Sequence, residues 1–87
     1  MFERGKVVLI VPAFLVESEK EFERNLRLVE KDCNLIQVDV LDGSLFPNTC
    51  WYDAQRIGNL KTNVEMELHL MVENPLPIIE AWKKYVP

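Results

Sequence analysis

Two short apolar runs rich in β-branched residues are the feature that most limits how this chain folds. The first is V-V-L-I-V at residues 7–11, and the second is L-I-Q-V-D-V at residues 35–40. Short, nearly continuous runs of this kind are typical of strands buried on both faces of a parallel sheet. We therefore predict a strand at each run, the first ended by Pro12 and the second closed by a turn at Asp42-Gly43.

The segment between the two runs carries a helix start signal. Ser18 and Glu21 form the Ser-x-x-Glu pattern, in which each side chain satisfies a free backbone N–H group near the helix start. Phe22 and Leu26 follow at helical spacing with charged residues between them. The sequence therefore predicts a helix over residues 19–31 and a β-α-β unit around it.

The rest of the chain repeats this alternation. Residues 51–57 are typical of a short helix stopped by Gly58, and residues 64–72 of a third strand. The last helix is predicted to begin at Asn74-Pro75, with proline at the first helical position. The order β-α-β-α-β-α predicts an α/β fold with a parallel sheet and right-handed crossovers. Three parallel strands by themselves leave one face and both edges uncovered.

Composition excludes several classes of partner. The net charge of −4 offers no basic surface for nucleic acid or anionic lipid. The apolar runs are far shorter than the roughly 20 residues that span a bilayer. The amino end shows no signal-peptide cleavage pattern, so we expect a cytoplasmic protein. Cys33 and Cys50 fit neither a zinc motif nor a disulfide framework, and both are predicted to be free thiols.

Strand periodicity places the polar residues of two strands on one face of the sheet. Gln37 and Asp39 alternate with apolar residues in the second strand, as Glu67 and His69 do in the third. The wholly apolar faces are expected to pack on the helices. Because α/β sheets place their active sites at the carboxyl ends of strands, the sequence predicts a site around Asp39 and His69.

Each of these residues also has a structural interpretation without function. Asp39 taken alone is equally a carboxylate bonded to a neighbouring strand or acting as a cap. His69, the only histidine, is by itself more typical of a buried core residue with its hydrogen bonds satisfied. Glu65 and Glu67 are either a paired acid site or part of a solvated face.

Two longer motifs resemble a known family. Residues 36–48, I-Q-V-D-V-L-D-G-S-L-F-P-N, are similar to the V-D-V-M-D-G-x-F-V-P-N signature of ribulose-phosphate 3-epimerase. Residues 67–75, E-L-H-L-M-V-E-N-P, are similar to that family's D-V-H-L-M-V-x-x-P. Residues 11–15, V-P-A-F-L, stand in place of the family's A-P-S-I-L. The resemblance covers almost the whole chain, but only the first three β/α units of an eight-unit barrel.

The resemblance implies the amino-terminal part of a TIM (β/α)₈ barrel, with residues 1–87 as a single partial barrel unit. Enzymes of this family are isomerases of carbohydrate metabolism, in the pentose phosphate pathway. They interconvert ribulose 5-phosphate and xylulose 5-phosphate by inverting C3 through an enediolate. Two aspartates act as acid and base, and a divalent metal, which is zinc, iron or manganese, polarises the carbonyl.

The resemblance also assigns roles to individual residues. Asp39 matches the first catalytic aspartate, which is also a metal ligand. His69 matches a metal-ligating histidine that borders the substrate. Leu41 and Met71 match apolar, substrate-contacting positions that line the reacting centre, and otherwise they are core residues.

Two departures from the family pattern change what is expected of this chain. Gln37 stands where the family has a metal-ligating histidine, and Ala13 stands where it has a substrate-contacting serine. Of four expected ligands only Asp39 and His69 remain, so the metal is expected to be weakly held or lost. The second catalytic aspartate and the phosphate-binding loops belong to strands beyond these three units. We therefore do not expect catalysis by this polypeptide alone.

Three functions stay open on the sequence. The chain is the amino-terminal piece of an epimerase-like barrel that acts on a pentose phosphate and is completed by a carboxyl-terminal part. Alternatively, it is a non-catalytic barrel fragment that assembles with copies of itself as a homo-oligomer. The third alternative is a pseudo-enzyme that binds a sugar phosphate without the metal.

Overall fold

The computed structural model describes residues 10–86 and confirms the predicted α/β alternation. Its elements are β1 (Ala13–Phe14), α1 (Glu19–Val29), β2 (Leu35–Leu41), α2 (Ala54–Gly58), β3 (Glu65–Met71) and α3 (Leu76–Tyr85). The three strands form one parallel sheet in the order β1-β2-β3. None of the helices in residues 10–86 has the length and hydropathy that a membrane-spanning helix needs.

Within the described residues, the first strand lies later in the chain than predicted. Residues 7–9 of the predicted strand lie outside residues 10–86, and among the latter it is Ala13 and Phe14, after Pro12, that pair with β2. The carbonyl of Pro12 accepts a hydrogen bond from the N–H of Gln37 at 2.8 Å. Proline lacks the N–H donor but keeps its acceptor, so the chain continues beside β2 through this residue.

The predicted start of α1 is confirmed. The hydroxyl oxygen of Ser18 accepts a hydrogen bond from the N–H of Glu21 at 3.1 Å. The Glu21 carboxylate reaches back to the N–H of Glu17 at 3.0 Å, one position before the cap residue. The helix ends at Val29 instead of residue 31, because the chain turns there, with the N–H of Asp32 bonded to the Val29 carbonyl at 2.9 Å.

The second helix begins later than predicted and ends differently. Asp53 caps it through a 3.1 Å hydrogen bond from the N–H of Arg56, so the first helical residue is Ala54. Gly58 lies inside the last turn rather than after it. A side chain at Gly58 would collide with the backbone carbonyl of Tyr85 in α3, so the glycine permits the close approach of the two helices.

The third helix also starts at a different residue. Pro75 is its N-cap rather than its first helical residue, and no side chain caps the helix, so the predicted start at Asn74-Pro75 with proline first is wrong by one position. Pro77 lies in the first turn, where an N–H would have no partner within the helix.

The core lies between the helices and one face of the sheet. On β2, Ile36, Val38 and Val40 are at most 1% exposed. They belong to one buried cluster with Phe22 and Leu26 of α1, both fully buried. The helices therefore cover the apolar face, and the alternate residues of each strand are left for the other face.

Candidate functional site

The register of the strands places the predicted polar residues side by side. Asp39 on β2 lies directly opposite His69 on β3, and Gln37 lies opposite Glu67. Ala13 on β1 is opposite Gln37 from the other side. Because side chains alternate between the two faces along each strand, paired residues of a parallel sheet share a face. These residues therefore form two rows on the face that the helices do not cover.

Three of these side chains are in hydrogen-bond contact. The Gln37 amide nitrogen Nε2 donates to the Asp39 carboxylate oxygen Oδ1 at 2.8 Å. The His69 ring nitrogen Nδ1 is 3.1 Å from the same oxygen, and 3.4 Å from Gln37 Nε2. The structure thus brings Gln37, Asp39 and His69 together as a single group, hereafter the polar cluster.

The members of the polar cluster differ in their access to solvent. The Asp39 side chain is 14% exposed, whereas the His69 side chain is 55% exposed. Asp39 is therefore bonded to a neighbouring strand, as the interpretation without function predicts. Its partner on that strand is the imidazole of His69. His69 is not the buried core histidine that was the alternative interpretation. The exposed imidazole leaves the cluster accessible from solvent.

The remaining predicted residues surround the polar cluster on the same face. Leu41 and Met71 are opposite each other, and Leu41 is buried without belonging to the core cluster under the helices. Met71 is half-buried, and Ala13 is exposed. Glu65 and Glu67 are both exposed, which favours the solvated-face interpretation of these two acids.

The loops after β2 and β3 are tied together at the carboxyl edge of the sheet. Gly43 has a φ of +86°, so the predicted turn after β2 uses glycine's conformational freedom. The Ser44 hydroxyl donates to Asp42 Oδ1 at 2.6 Å and accepts from the Glu73 N–H at 2.9 Å. Hydrogen bonds from the Ser44 side chain and backbone lower the pKa of Asp42. No sequence signal pointed to the Ser44–Glu73 contact, because it joins loops far apart in the chain.

Cys50 supports the backbone of β2 beside the polar cluster. Its sulfur Sγ accepts a hydrogen bond from the Leu41 N–H at 3.3 Å and donates to the Asp39 carbonyl at 3.4 Å. Burial raises the pKa of the Cys50 thiol, and the Asp39 charge adds to the rise, while the Leu41 N–H opposes it. Cys33 and Cys50 are both free, which confirms the prediction for the two thiols.

The donor set of the polar cluster does not fit a tightly held metal ion. Within residues 10–86, no three His, Cys, Asp or Glu side chains are grouped so that they can hold a metal. Asp39 and His69 supply two donors, and the third position is Gln37, whose amide nitrogen faces the carboxylate. Zinc enzymes use three protein ligands and an open position. The cluster by itself therefore supplies too few strong donors to hold a metal tightly.

The fold and the site define a class of protein: an α/β unit of the TIM-barrel type that carries a polar cluster on its uncovered sheet face. The model of the ribulose-phosphate 3 epimerase family matches residues 9–87, and the chain belongs to that family. Comparison with curated proteins and with solved structures found no match. Family membership and the parallel sheet confirm the resemblance that the two motifs carry.

Proposed function

We propose that the polar cluster is the part of an epimerase-type site that removes a proton from a ketopentose phosphate and returns it. One observation supports it above all: Asp39 Oδ1 lies within hydrogen-bond distance of both Gln37 and His69, on the sheet face that the helices leave uncovered. A carboxylate in contact with an imidazole is a unit that can accept and return a proton.

The proposed chemistry is the removal and return of the proton on C3, next to the C2 carbonyl. Removal leaves the electrons of the C–H bond in an enediolate and moves the proton to the Asp39–His69 unit. Return of a proton to the same face restores the original ketose. Inversion also needs an acid on the other side of C3, and the family resemblance assigns that acid to a strand beyond these three β/α units. The polar cluster therefore performs one of the two proton transfers.

Inversion and tight substrate binding, unlike hydrogen exchange at C3, require the rest of a barrel around the site. Further β/α units, from a carboxyl-terminal part or from other copies of the chain, would bind the phosphate group and supply the second acid. A divalent metal such as zinc, iron or manganese would be held only if a donor from outside the cluster completed the ligand set that Asp39 and His69 begin. The expected place of such a reaction is the cytoplasm.

A second candidate function is sugar-phosphate binding without catalysis, and Gln37 favours it. The amide replaces a ligating histidine of the family but still offers N–H donors to a sugar oxygen. A protein of this kind would bind the ketopentose phosphate and leave the hydrogen on C3 in place.

Deuterium incorporation at C3 of ribulose 5-phosphate in D₂O tests the proposal without requiring inversion. We expect incorporation above the rate in buffer, measured by NMR of the recovered sugar. Glu67→Gln is the matched control, because Glu67 lies on the same face but makes no hydrogen bond to the cluster among residues 10–86. Saturable binding without incorporation would favour the second candidate. The absence of both would contradict both.

A further inference from the structure

We propose that two copies of this chain pair through β3, as antiparallel strands related by a two-fold axis at Leu68. The outer edge of β3 is the interaction surface, and a second copy of the chain is its partner. Among residues 10–86 the sheet has the order β1-β2-β3, so β3 is an edge strand. The inference is independent of the proposed function, because it concerns the edge of the sheet and not the chemistry of the polar cluster.

The two edges of the sheet differ in how much pairing they offer. In the described part of the chain, β1 consists of Ala13 and Phe14, directly after Pro12, and so short an edge offers little to a further strand. β3 has seven residues, Glu65–Met71, and contains neither the proline nor the lysine that commonly protects an edge. β3 is therefore the edge that is open to another strand.

The backbone of β3 directs the hydrogen-bonding groups of alternate residues outward. The Glu65 N–H donates to the Asn34 carbonyl at 2.8 Å, so the backbone groups of Glu65 face the β2 side. Because successive residues of a strand point these groups to opposite edges, those of Met66, Leu68 and Leu70 face away from β2. In an antiparallel pair, two such residues directly opposite each other exchange both hydrogen bonds. These three residues are therefore ready to pair with a second copy.

The side chains of β3 match their own copies in one register. With Leu68 opposite Leu68 of the second copy, Met66 of each copy faces Leu70 of the other. Apolar residues then meet on the face that the helices cover. On the other face, Glu67 of each copy lies opposite His69 of the other, so an acid meets an imidazole, which carries no negative charge. Glutamine at position 67 keeps this match, because its amide oxygen also accepts hydrogen bonds.

The neighbouring registers are less favourable. An axis at Glu67 would place this acid opposite its own copy, and like charges directly opposite each other are destabilising. An axis at His69 would leave Glu65 and Met66 without a partner in the other strand. An axis between two residues would set outward-pointing backbone groups against inward-pointing ones. The axis at Leu68 is therefore the register that charge, length and hydrogen bonding all favour.

The apolar face at this edge has room for the second copy. Met66 and Leu68 are half-buried, and together with Ile79 and Trp82 of α3 they border a groove of about 160 Å³. Neighbouring strands lie about 4.8 Å apart, so the apolar side chains of a paired strand would lie beside this groove. The burial of this apolar surface adds to the backbone hydrogen bonds in favouring the dimer.

The pairing joins the two three-stranded sheets into one and keeps both polar clusters on the uncovered face. It also occupies the edge at which a fourth strand continues the barrel that the family resemblance implies. The dimer and a closed barrel therefore exclude each other. Hydrogen exchange at C3 remains open to the dimer, whereas inversion, which needs the rest of the barrel, does not.

Sedimentation equilibrium of the intact chain tests the dimer directly. We expect a mass of twice the 10.2 kDa of one chain, in a concentration-dependent equilibrium with the monomer. A chain that stays monomeric at about 1 mM would overturn the proposal. A trimer or a larger ring would overturn it as well, because a two-fold contact closes at two copies.

Leu68→Lys tests the position of the axis, because it places two like charges together there. We expect the dissociation constant of the dimer to rise by about 100-fold or more. Leu28→Lys is the matched control, since Leu28 lies on α1 and is 70% exposed, and it should leave the dissociation constant unchanged. Circular dichroism checks that both variants keep the fold. Equal dimerisation of the folded Leu68→Lys variant and the wild-type chain would refute the interface.

Two measurements on the wild-type chain need no variant. Amide hydrogen exchange followed by NMR should show Leu68 and Leu70 protected in the dimer and unprotected after dilution to the monomer. Fast exchange of both amides in the dimer would place the interface elsewhere and overturn the proposal. An isotope-filtered NOESY spectrum of mixed labelled and unlabelled chains should show cross-peaks between Met66 and Leu70 of different copies. Cross-peaks between Met66 and Leu68 in their place would contradict the register.

Discussion

The two faces of β2 show how one strand serves both the core and the site. Ile36, Val38 and Val40 are at most 1% exposed and pack under the helices. Gln37 and Asp39 alternate with them, are only partly buried, and bond to each other and to the neighbouring strand. The apolar face therefore fixes the position of the strand, and the polar face inherits its geometry from that burial.

The contrast between the two faces of β2 shows that the site depends on the register of strand pairing. A slip of one residue in the pairing of β2 would turn its apolar side chains toward solvent and its polar side chains into the core. The free-energy cost of that exchange fixes the register. The register of β3 is fixed less strongly, since Met66, Leu68 and Leu70 on its apolar face are only half-buried. We infer that β2 is the rigid support of the polar cluster.

The largest effect is expected on the polar face from Asp39→Asn. The amide lacks the negative charge that stabilises a protonated His69, so we expect C3 deuterium exchange to fall by about 10²- to 10⁴-fold. This equals about 2.7 to 5.5 kcal/mol in the activation free energy. Denaturation in urea should show little change. Unchanged exchange in this variant, with Glu67→Gln as control, would refute the catalytic role of the cluster.

The apolar face should respond in the opposite way, through stability. Ile36→Ala removes buried methyl groups beneath the helices and should reduce the free energy of unfolding by about 2 to 5 kcal/mol. Glu67→Ala on the other face should change it by no more than about 0.5 kcal/mol. Urea denaturation followed by circular dichroism measures both. Equal losses in the two variants would mean that the faces are not distinct.

A smaller effect is expected from restoring the ligand that the polar face lacks. Gln37→His adds a third strong donor beside Asp39 and His69, so zinc affinity in equilibrium dialysis should rise. We expect at least a roughly 10- to 100-fold increase, because that is the loss seen when only an outer partner of a ligand is removed. Equal affinity of the two proteins would show that these three side chains do not converge.

The smallest effect concerns the thiol of Cys50, which is hydrogen-bonded to the backbone of β2 at Asp39 and Leu41. Burial raises the pKa of Cys50, so less thiolate is present at a given pH and alkylation should reach its plateau at a higher pH than in the unfolded chain. In a Cys33→Ser background, we expect iodoacetamide at pH 8 to react a few-fold more slowly with the folded protein than with the urea-unfolded one. A faster reaction in the folded state would mean that the thiol is not held against Asp39 and Leu41.

Local signals in the sequence were enough to predict most elements and the shared face of the site. Ser18 and Glu21 are close in sequence and form the cap that the pattern predicts. Strand alternation placed Asp39 and His69 on one face, because a period of two depends on nothing beyond the strand itself. Whether these residues act in catalysis or binding stays a prediction.

Contacts between distant segments were not predictable in the same way. Nothing in the sequence around Pro12 indicates that Ala13 and Phe14 pair with β2, since that depends on how the chain meets Gln37. The bond between Ser44 and the Glu73 N–H likewise depends on the final placement of two loops. The Gln37–Asp39 hydrogen bond is local in sequence, but it becomes part of the polar cluster only because β3 places His69 opposite Asp39.

The most direct test of this account is whether Gln37, Asp39 and His69 meet on one face of the sheet in solution. A NOESY spectrum of the intact chain reports it, because Gln37 Nε2 lies 3.4 Å from His69 Nδ1. We predict cross-peaks between the Gln37 side-chain amide hydrogens and the His69 ring hydrogens. Cross-peaks from the His69 ring to the methyl groups of Val38 or Val40, with none to Gln37, would contradict it.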